Sequence, residues 1–480
     1  MVFNSCQFFV FMGVFYLLYL AVNGKVRVQN ALLLIASYVF YGSWDWRFLS
    51  LLLASTVLDY ICGMQIYMAD GERRRKVILG CAMFGNLFIL GIFKYFNFFS
   101  ANLHLLLSRF GLPGDPVLFN IILPLGISFY TFQTMSYSID IYRGEMKPVR
   151  NFLDFAVFVA FFPHLVAGPI LRAKTMMPQI MSPRRLRFSR FYEGCHLMVW
   201  GFFLKVFVAD NLAMIVDPVF SSSGNYNGVM VLLSLYAFAF QIFGDFAGYS
   251  CIAMGLGKWM GFDIPVNFNL PYFATNPQGF WKRWHMSLST WFMDYLFMPL
   301  SFAWRGLGGL GVMAALMVTF TLCGFWHGAS WTFILWGVYH GALLSGYRIL
   351  QPVLAGIGEP RNRILRNAWL ILRMVFCFHL VCLGWLFFRA GSIAQAKSMI
   401  EAVLFNFRVL PGIGIQHYFL SLLFYTAFLL GVQVLQYRKN DLEAVRKYSF
   451  PVRAAFYYTC LLFIMFFGVM KQNGFIYFQF

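Results

Sequence analysis

Charge is what this chain lacks. Of its 480 residues only 11% are Asp, Glu, Lys or Arg, against about 25% in an ordinary soluble domain. With 60% hydrophobic residues and a mean hydropathy of +0.68, that shortage excludes an aqueous globular fold and points to a polytopic membrane protein. Acidic residues are scarcer still: 37 Lys and Arg stand against 18 Asp and Glu, a net charge of +19. In a soluble protein such a balance suggests nucleic acid. Here the basic residues fall mainly in short loops between apolar runs, so topology explains them and no nucleic-acid role is expected.

Paired cysteines are also missing. Nine cysteines are scattered without a CxxC pair. Cys377 and Cys382 flank His379, but five helical residues place the two sulfurs well apart around the axis, which reads as packing and not as a metal site. No GxSxG nucleophile elbow occurs, which argues against a serine hydrolase. Nor does the start of the chain carry a basic n-region, since the first lysine is Lys25. It reads as a retained first span and not as a signal peptide.

What is present is a series of apolar runs near the length of about 20 residues that a crossing needs. They are Phe8–Val22, Asn30–Tyr41, Phe48–Ile66, Val77–Phe96, Val117–Tyr137, Phe152–Leu171, Gly194–Ala209, Gly228–Leu256, Leu310–Trp326, Thr332–Tyr347, Trp369–Phe388, Tyr418–Leu435 and Ala454–Val469. Pro163 and Pro169 interrupt the sixth, which is expected to dip in and return. The expectation is an all-α protein of one membrane domain over 1–480, with about eleven to twelve crossings plus re-entrant or interfacial helices. Residues 118–350 would form the catalytic core, with peripheral helices at 1–117 and 351–480. Arg73 to Lys76, Arg143 with Lys147 and Arg150, Arg184 to Arg190, Arg361 to Arg366 and Arg438 to Lys447 mark cytoplasmic loops, leaving both termini outside.

Chemistry is expected between Asn267 and Gly341, where His285, His327 and His340 lie among aromatic residues. An ionisable group at membrane depth is costly and is by default a functional candidate. Asn276-Pro277 is a helix start, a side-chain cap followed by proline at the first helical position. Beyond it Trp281, Trp284, Leu288, Trp291 and Tyr295 recur at helical spacing and make one aromatic stripe on an amphipathic helix. His285 borders that stripe. Two readings of it stand equal on this evidence: a functional imidazole, or an interfacial one satisfying a neighbour's backbone. Glycines on both sides of Trp326-His327 allow another backbone or a substrate close to the ring. A neutral imidazole in a dry pocket suits general-base work. His340 stands too far along the chain to share one metal ion with His327 on a continuous helix, and no acidic residue lies nearby at ligand spacing. Asp245 and Ser250, in Gly244-Asp-Phe-Ala-Gly-Tyr-Ser250, can orient a histidine or substrate, or form a buried structural cluster.

These stretches together resemble a known family. Asp245–Ser250, Asn267-Phe-Asn269-Leu-Pro-Tyr272, Phe280-Trp-Lys-Arg-Trp284-His285, Trp326-His327-Gly328 and Tyr339-His340-Gly341 are similar to the bacterial branch of the membrane-bound O-acyltransferases. Within it they resemble the alginate O-acetyltransferase membrane subunits, with the D-alanine transfer proteins of teichoic acid synthesis as cousins. Leu34–Tyr41, Leu123–Gln133 and Phe162–Pro169 fit as well, so the likeness runs over most of the chain. The resemblance implies a ring of helices around a thin centre, with a tunnel in which donor and acceptor meet. It implies His327 as the catalytic histidine and general base, and His285 as the second, positioning the donor or stabilising an oxyanion. Substrate contacts are expected from Asp245, Ser250, Asn269, Trp284, Trp326 and His340. No bound cofactor or metal is expected. The donor would be acetyl-CoA or another acyl thioester, and the acceptor a polysaccharide outside the inner membrane, reached through a periplasmic or extracellular acyltransferase partner. Two positions depart from the family: Cys251 stands where Asp is common, and Met293 where Arg is common. A transporter or flippase, or a non-catalytic assembly subunit, are the alternatives. The first would show paired broken helices in two repeated halves, and no such repeat is visible.

Overall fold

The computed structural model describes residues 1–112, 115–165, 168–222, 224, 226–356, 358–408 and 413–469. Among these, every regular element is helical. Eight helical runs are long and apolar enough to cross a membrane, from the 43-residue Val26–Met68 to the 18-residue Phe450–Phe467. The run Val26–Met68 holds two 20-residue helices, Val26–Asp45 and Leu49–Met68, which carry the predicted runs Asn30–Tyr41 and Phe48–Ile66, while the first helix, Cys6–Ala21, has only 16 residues. Large apolar side chains such as Phe84, Leu461 and Phe466 are exposed on these runs, the surface that lipid covers.

The chain divides into two compact units. The first comprises residues 1–198 and 252–265. The helix Ile127–Tyr142 runs through its core, buried on nearly every side although half of it is polar. Polar side chains survive there because they bond one another. Ser138 Oγ and Asn86 Nδ2 each donate to the Asp59 carboxylate at 2.6 Å, and Ser55 Oγ donates to Asn86 Oδ1 at 2.7 Å. Gln133 donates to Phe158 O at 2.6 Å and meets His164 Nε2 at 2.7 Å. The expected span Val117–Tyr137 is helical only from Ile127. Gly126, at φ +72°, turns the chain there, and its carbonyl accepts from Phe129 and Tyr130.

Arg184, read from sequence as part of a cytoplasmic anchor, is instead buried. Its guanidinium donates to Gln29, Asn30 and Ile180 O and lies 4.9 Å from the Phe262 ring. The neighbouring Arg190 does pair at the surface, with Asp263 at 2.9 Å.

The second unit comprises residues 199–251 and 266–480. The helix Phe188–Phe202 passes into a wide π turn, Phe203–Ala209, and continues as Asp210–Phe220. Gly244 and Gly248 of the helix Gly228–Met260 face that turn. A Cβ at either would stand 2.9 Å from Leu204 O or 2.8 Å from Gly201 O, so only glycine permits this approach. The helices Gly309–His327 and Trp331–Gly356 form a hairpin, joined through Gly328 to Ser330. Gly324 and Gly337 press against each other's helix so closely that a Cβ at either would meet a backbone carbonyl. The two backbones thus pack at the contact distance that small residues give in lipid.

Candidate active site

The predicted start at Asn276 is present. Gly279 N–H donates to Asn276 Oδ1 at 2.7 Å, and Pro277 opens the helix Pro277–Trp281. The helix expected to continue through Tyr295 does not. It stops after Trp281, and a second helix begins at Met286. Between them His285 adopts φ +43°, ψ 55°, the left-handed region. A residue with a side chain there costs about 1–2 kcal/mol, so surrounding structure must hold it. The extended stretch 267–269 does so: Asn269 N–H donates to Arg283 O and Met286 N–H to Asn267 O, both at 2.9 Å. The stripe survives the break, since Trp281, Trp284, Leu288 and Trp291 are all buried.

Asn267 is the centre of the clamp. Its Oδ1 accepts from Ser287 N–H at 3.1 Å and from Ser287 Oγ at 2.9 Å, and lies 3.2 Å from His285 Nδ1. Its Nδ2 donates to Ser250 Oγ at 3.3 Å. Ser250 thus joins the clamp through Asn267. The His285 ring also meets the edge of Phe246 at 4.4 Å.

His327 is the last residue of its helix. Its ring is caged by Trp326 at 4.9 Å, Trp336 at 5.1 Å and Phe388 at 5.2 Å, all near perpendicular. Trp326 also reaches the His285 ring at 6.5 Å. One indole thus joins the Arg-Trp-His and Trp-His-Gly motifs into a single buried aromatic cluster. Trp284 stacks on Phe280 and leans on Trp385 at 4.8 Å.

His340 is buried in the same unit, against Trp281 at 5.0 Å and Trp336 at 4.9 Å. Among the described residues neither of its ring nitrogens has a hydrogen-bond partner. It shares Trp336 with His327, so the third histidine adjoins the aromatic cluster through that indole. Asn269 is exposed and contributes backbone bonds to Arg283, not a side chain to the histidines. His379 bonds Tyr236 Oη at 2.7 Å and Val375 O, a packing role for the Cys377–Cys382 segment. Among the described residues no group of three or more His, Cys, Asp or Glu is arranged to hold a metal ion.

Asp245 has a different partner from the one sought. Lys205, within the π turn, places Nζ 2.7 Å from Asp245 Oδ1 and 2.9 Å from Asp210 Oδ1, with Tyr249's ring centre at 5.8 Å. All three charged side chains are almost fully buried. Lys205 and Ser287 were given no role from the sequence, and Asn267 entered only as the first residue of the motif Asn267–Tyr272. A lysine inside the apolar run Gly194–Ala209 was the signal for the first.

A cavity of about 380 Å³ opens beside these motifs, lined among others by Trp281, Lys282, Thr319, Cys323, Met293 and Arg348. Trp281 is the ring that touches His340, and Cys323 lies one helical turn before His327. The volume falls within the range of about 300–1,000 Å³ typical of small-molecule sites.

Comparison with known proteins places these motifs inside a matched region. The sequence profile described as "MBOAT, membrane-bound O-acyltransferase family" matches residues 142–388. A Pseudomonas aeruginosa protein named "Probable alginate O-acetylase AlgI" is 43% identical over 415 residues, covering 85% of this chain and 75% of the relative. The "Peptidoglycan O-acetyltransferase" of Helicobacter pylori is 33% identical over 435 residues, 84% of this chain and 80% of its own. The "Teichoic acid D-alanyltransferase" of Bacillus subtilis is 28% identical over 404 residues, 80% and 97%.

Proposed function

We propose, starting from the fact that this chain belongs to the membrane-bound O-acyltransferase family, that it passes an acetyl group from a cytosolic thioester to hydroxyls of a polysaccharide outside the inner membrane. The chain is a multi-pass membrane O-acyltransferase. The single observation that carries the finer reading is the Trp326 indole in ring contact with two buried imidazoles, His285 and His327. Named relatives that acetylate alginate or peptidoglycan support a polysaccharide acceptor and an acetyl group.

In this mechanism His327 is the general base. The acceptor O–H gives its proton to the imidazole while its oxygen forms the new bond to the acyl carbon. The C–S bond of the thioester then breaks, and the proton passes from His327 to the departing thiolate, so charge balances over the cycle. His327 sits at a helix C-terminus, where the helix dipole favours the positive charge a protonating imidazole develops. The aromatic cage keeps bulk water from intercepting the acyl group. The cavity takes the pantetheine arm of the donor, with Lys282 and Arg348 suited to its phosphate. Delivery to the final polymer runs through a separate extracytoplasmic acyltransferase.

The test uses membrane vesicles containing the protein, supplied on the cytosolic face with acetyl-CoA labelled in the acetyl group. Label passing to an acceptor hydroxyl as a base-labile ester supports the reading. Labelled acetyl-CoA left intact, while an acetylated carrier protein donates, would keep the enzyme and change the donor. No transfer from either would overturn the thioester mechanism.

A further inference from the structure

Which nitrogen of His285 carries the proton is decided by its neighbours. The backbone N–H of Ser287 can only donate, and it points at one atom of the Asn267 amide from 3.1 Å. That atom must be the oxygen, because an NH2 there would set donor against donor. The amide nitrogen then donates to the Ser250 hydroxyl at 3.3 Å. An amide oxygen only accepts. His285 Nδ1, 3.2 Å from it, must therefore hold a hydrogen. The Ser287 hydroxyl does not compete. It lies 2.9 Å from the Asn267 oxygen but 3.5 Å from Nδ1, so its proton goes to the amide and its lone pairs face the imidazole N–H.

We infer that Asn267 is a positioning residue that holds His285 with its proton on Nδ1 and its lone pair on Nε2, so that His285 offers the substrates a hydrogen-bond acceptor. This rests on the reading that His285 works in acyl transfer. It revises the expected role: a neutral imidazole in this tautomer has no N–H left on Nε2 to stabilise an oxyanion. Its part is instead to accept a hydrogen bond from a hydroxyl or thiol and so align it for attack or departure. The left-handed backbone at His285 and the paired bonds from 267 and 269 fix the ring's origin, and the Asn267 amide fixes its rotation and tautomer. Nothing in composition or spacing marks Asn267 for this work, since the contact joins residues 18 apart across a turn.

The test is a nitrogen-15 spectrum of the imidazoles in the full-length protein, labelled at histidine and held in lipid, with His285 assigned by its loss in His285→Gln. The expected spectrum has a protonated Nδ1 and an unprotonated Nε2. Asn267→Asp keeps an acceptor facing Nδ1 and is expected to keep both the tautomer and measurable transfer. Asn267→Leu is expected to lose the tautomer preference and to lower kcat about a hundredfold with KM little changed. A wild-type His285 protonated on Nε2, or an Asn267→Leu spectrum equal to wild type, overturns the inference. If Asn267→Leu fails to fold, the wild-type spectrum alone decides. Should His285→Gln transfer at the full rate while the tautomer is as expected, the positioning stands and the catalytic reading of His285 falls.

Discussion

Lys205 and Asp245 are joined by a 2.7 Å ion pair between two helices of a membrane protein, and Asp210 completes the cluster from the next turn. Removing one partner from a buried pair strands the other charge, which costs about 3–5 kcal/mol. Lys205→Met is therefore expected to lower the melting temperature sharply or prevent accumulation of folded protein. The triple variant with Asp210→Asn and Asp245→Asn should recover most of that loss. Thermal melts in detergent check the stability. If the triple variant folds and still transfers acyl groups, Asp245 serves the helix pair; if it folds without transferring, Asp245 also serves the substrate.

Gly384 and His340 make a tighter prediction. A Cβ at position 384 would meet His340 Nε2, and Trp281 and Trp336 hold the ring from other sides. Gly384→Ala is expected to destabilise the protein by about 1–3 kcal/mol through overpacking. His340→Ala alone opens a void, yet in combination it should relieve the clash. A double-mutant cycle of melts is expected to show a coupling beyond additivity.

Trp326 makes ring contacts to both central imidazoles. Trp326→Phe preserves an aromatic ring and is expected to keep measurable transfer. Trp326→Ala removes it, and kcat should fall at least about tenfold, because small displacements of catalytic groups are costly. Equal rates for the two variants would show that the indole does not set the geometry.

At the cavity, Lys282→Gln with Arg348→Gln is expected to raise KM for the thioester donor about tenfold with little change in kcat, since contacts to the donor phosphate bind ground and transition state alike. Initial rates against donor concentration read this directly. A drop in kcat at unchanged KM would place the donor elsewhere.

Much of this was legible in the chain because it depends on local chemistry. Asn276 followed by Pro277 starts its helix through a bond made within three residues, and the glycines around Trp326-His327 allow the close backbone approach found in the hairpin. The break at His285 was not legible. An aromatic stripe with helical spacing fits one helix or two, and the left-handed turn is set by residues 267–269, a tertiary clamp without local signature. The same holds for the helix Ile127–Tyr142, whose polar residues are tolerable only because Asp59 and Asn86 meet them. Arg184 counted as a loop charge until its partners Gln29 and Asn30 came from another helix.

The most direct measurement is ester-linked acetyl on the extracytoplasmic polymer, released by mild base, in cells carrying wild type, His327→Ala or His285→Ala at matched levels in the membrane. Inserted, folded His327→Ala with the ester abolished is the result predicted. Acetylation at the wild-type level in that variant would contradict the account and make His327 a packing residue of its hairpin.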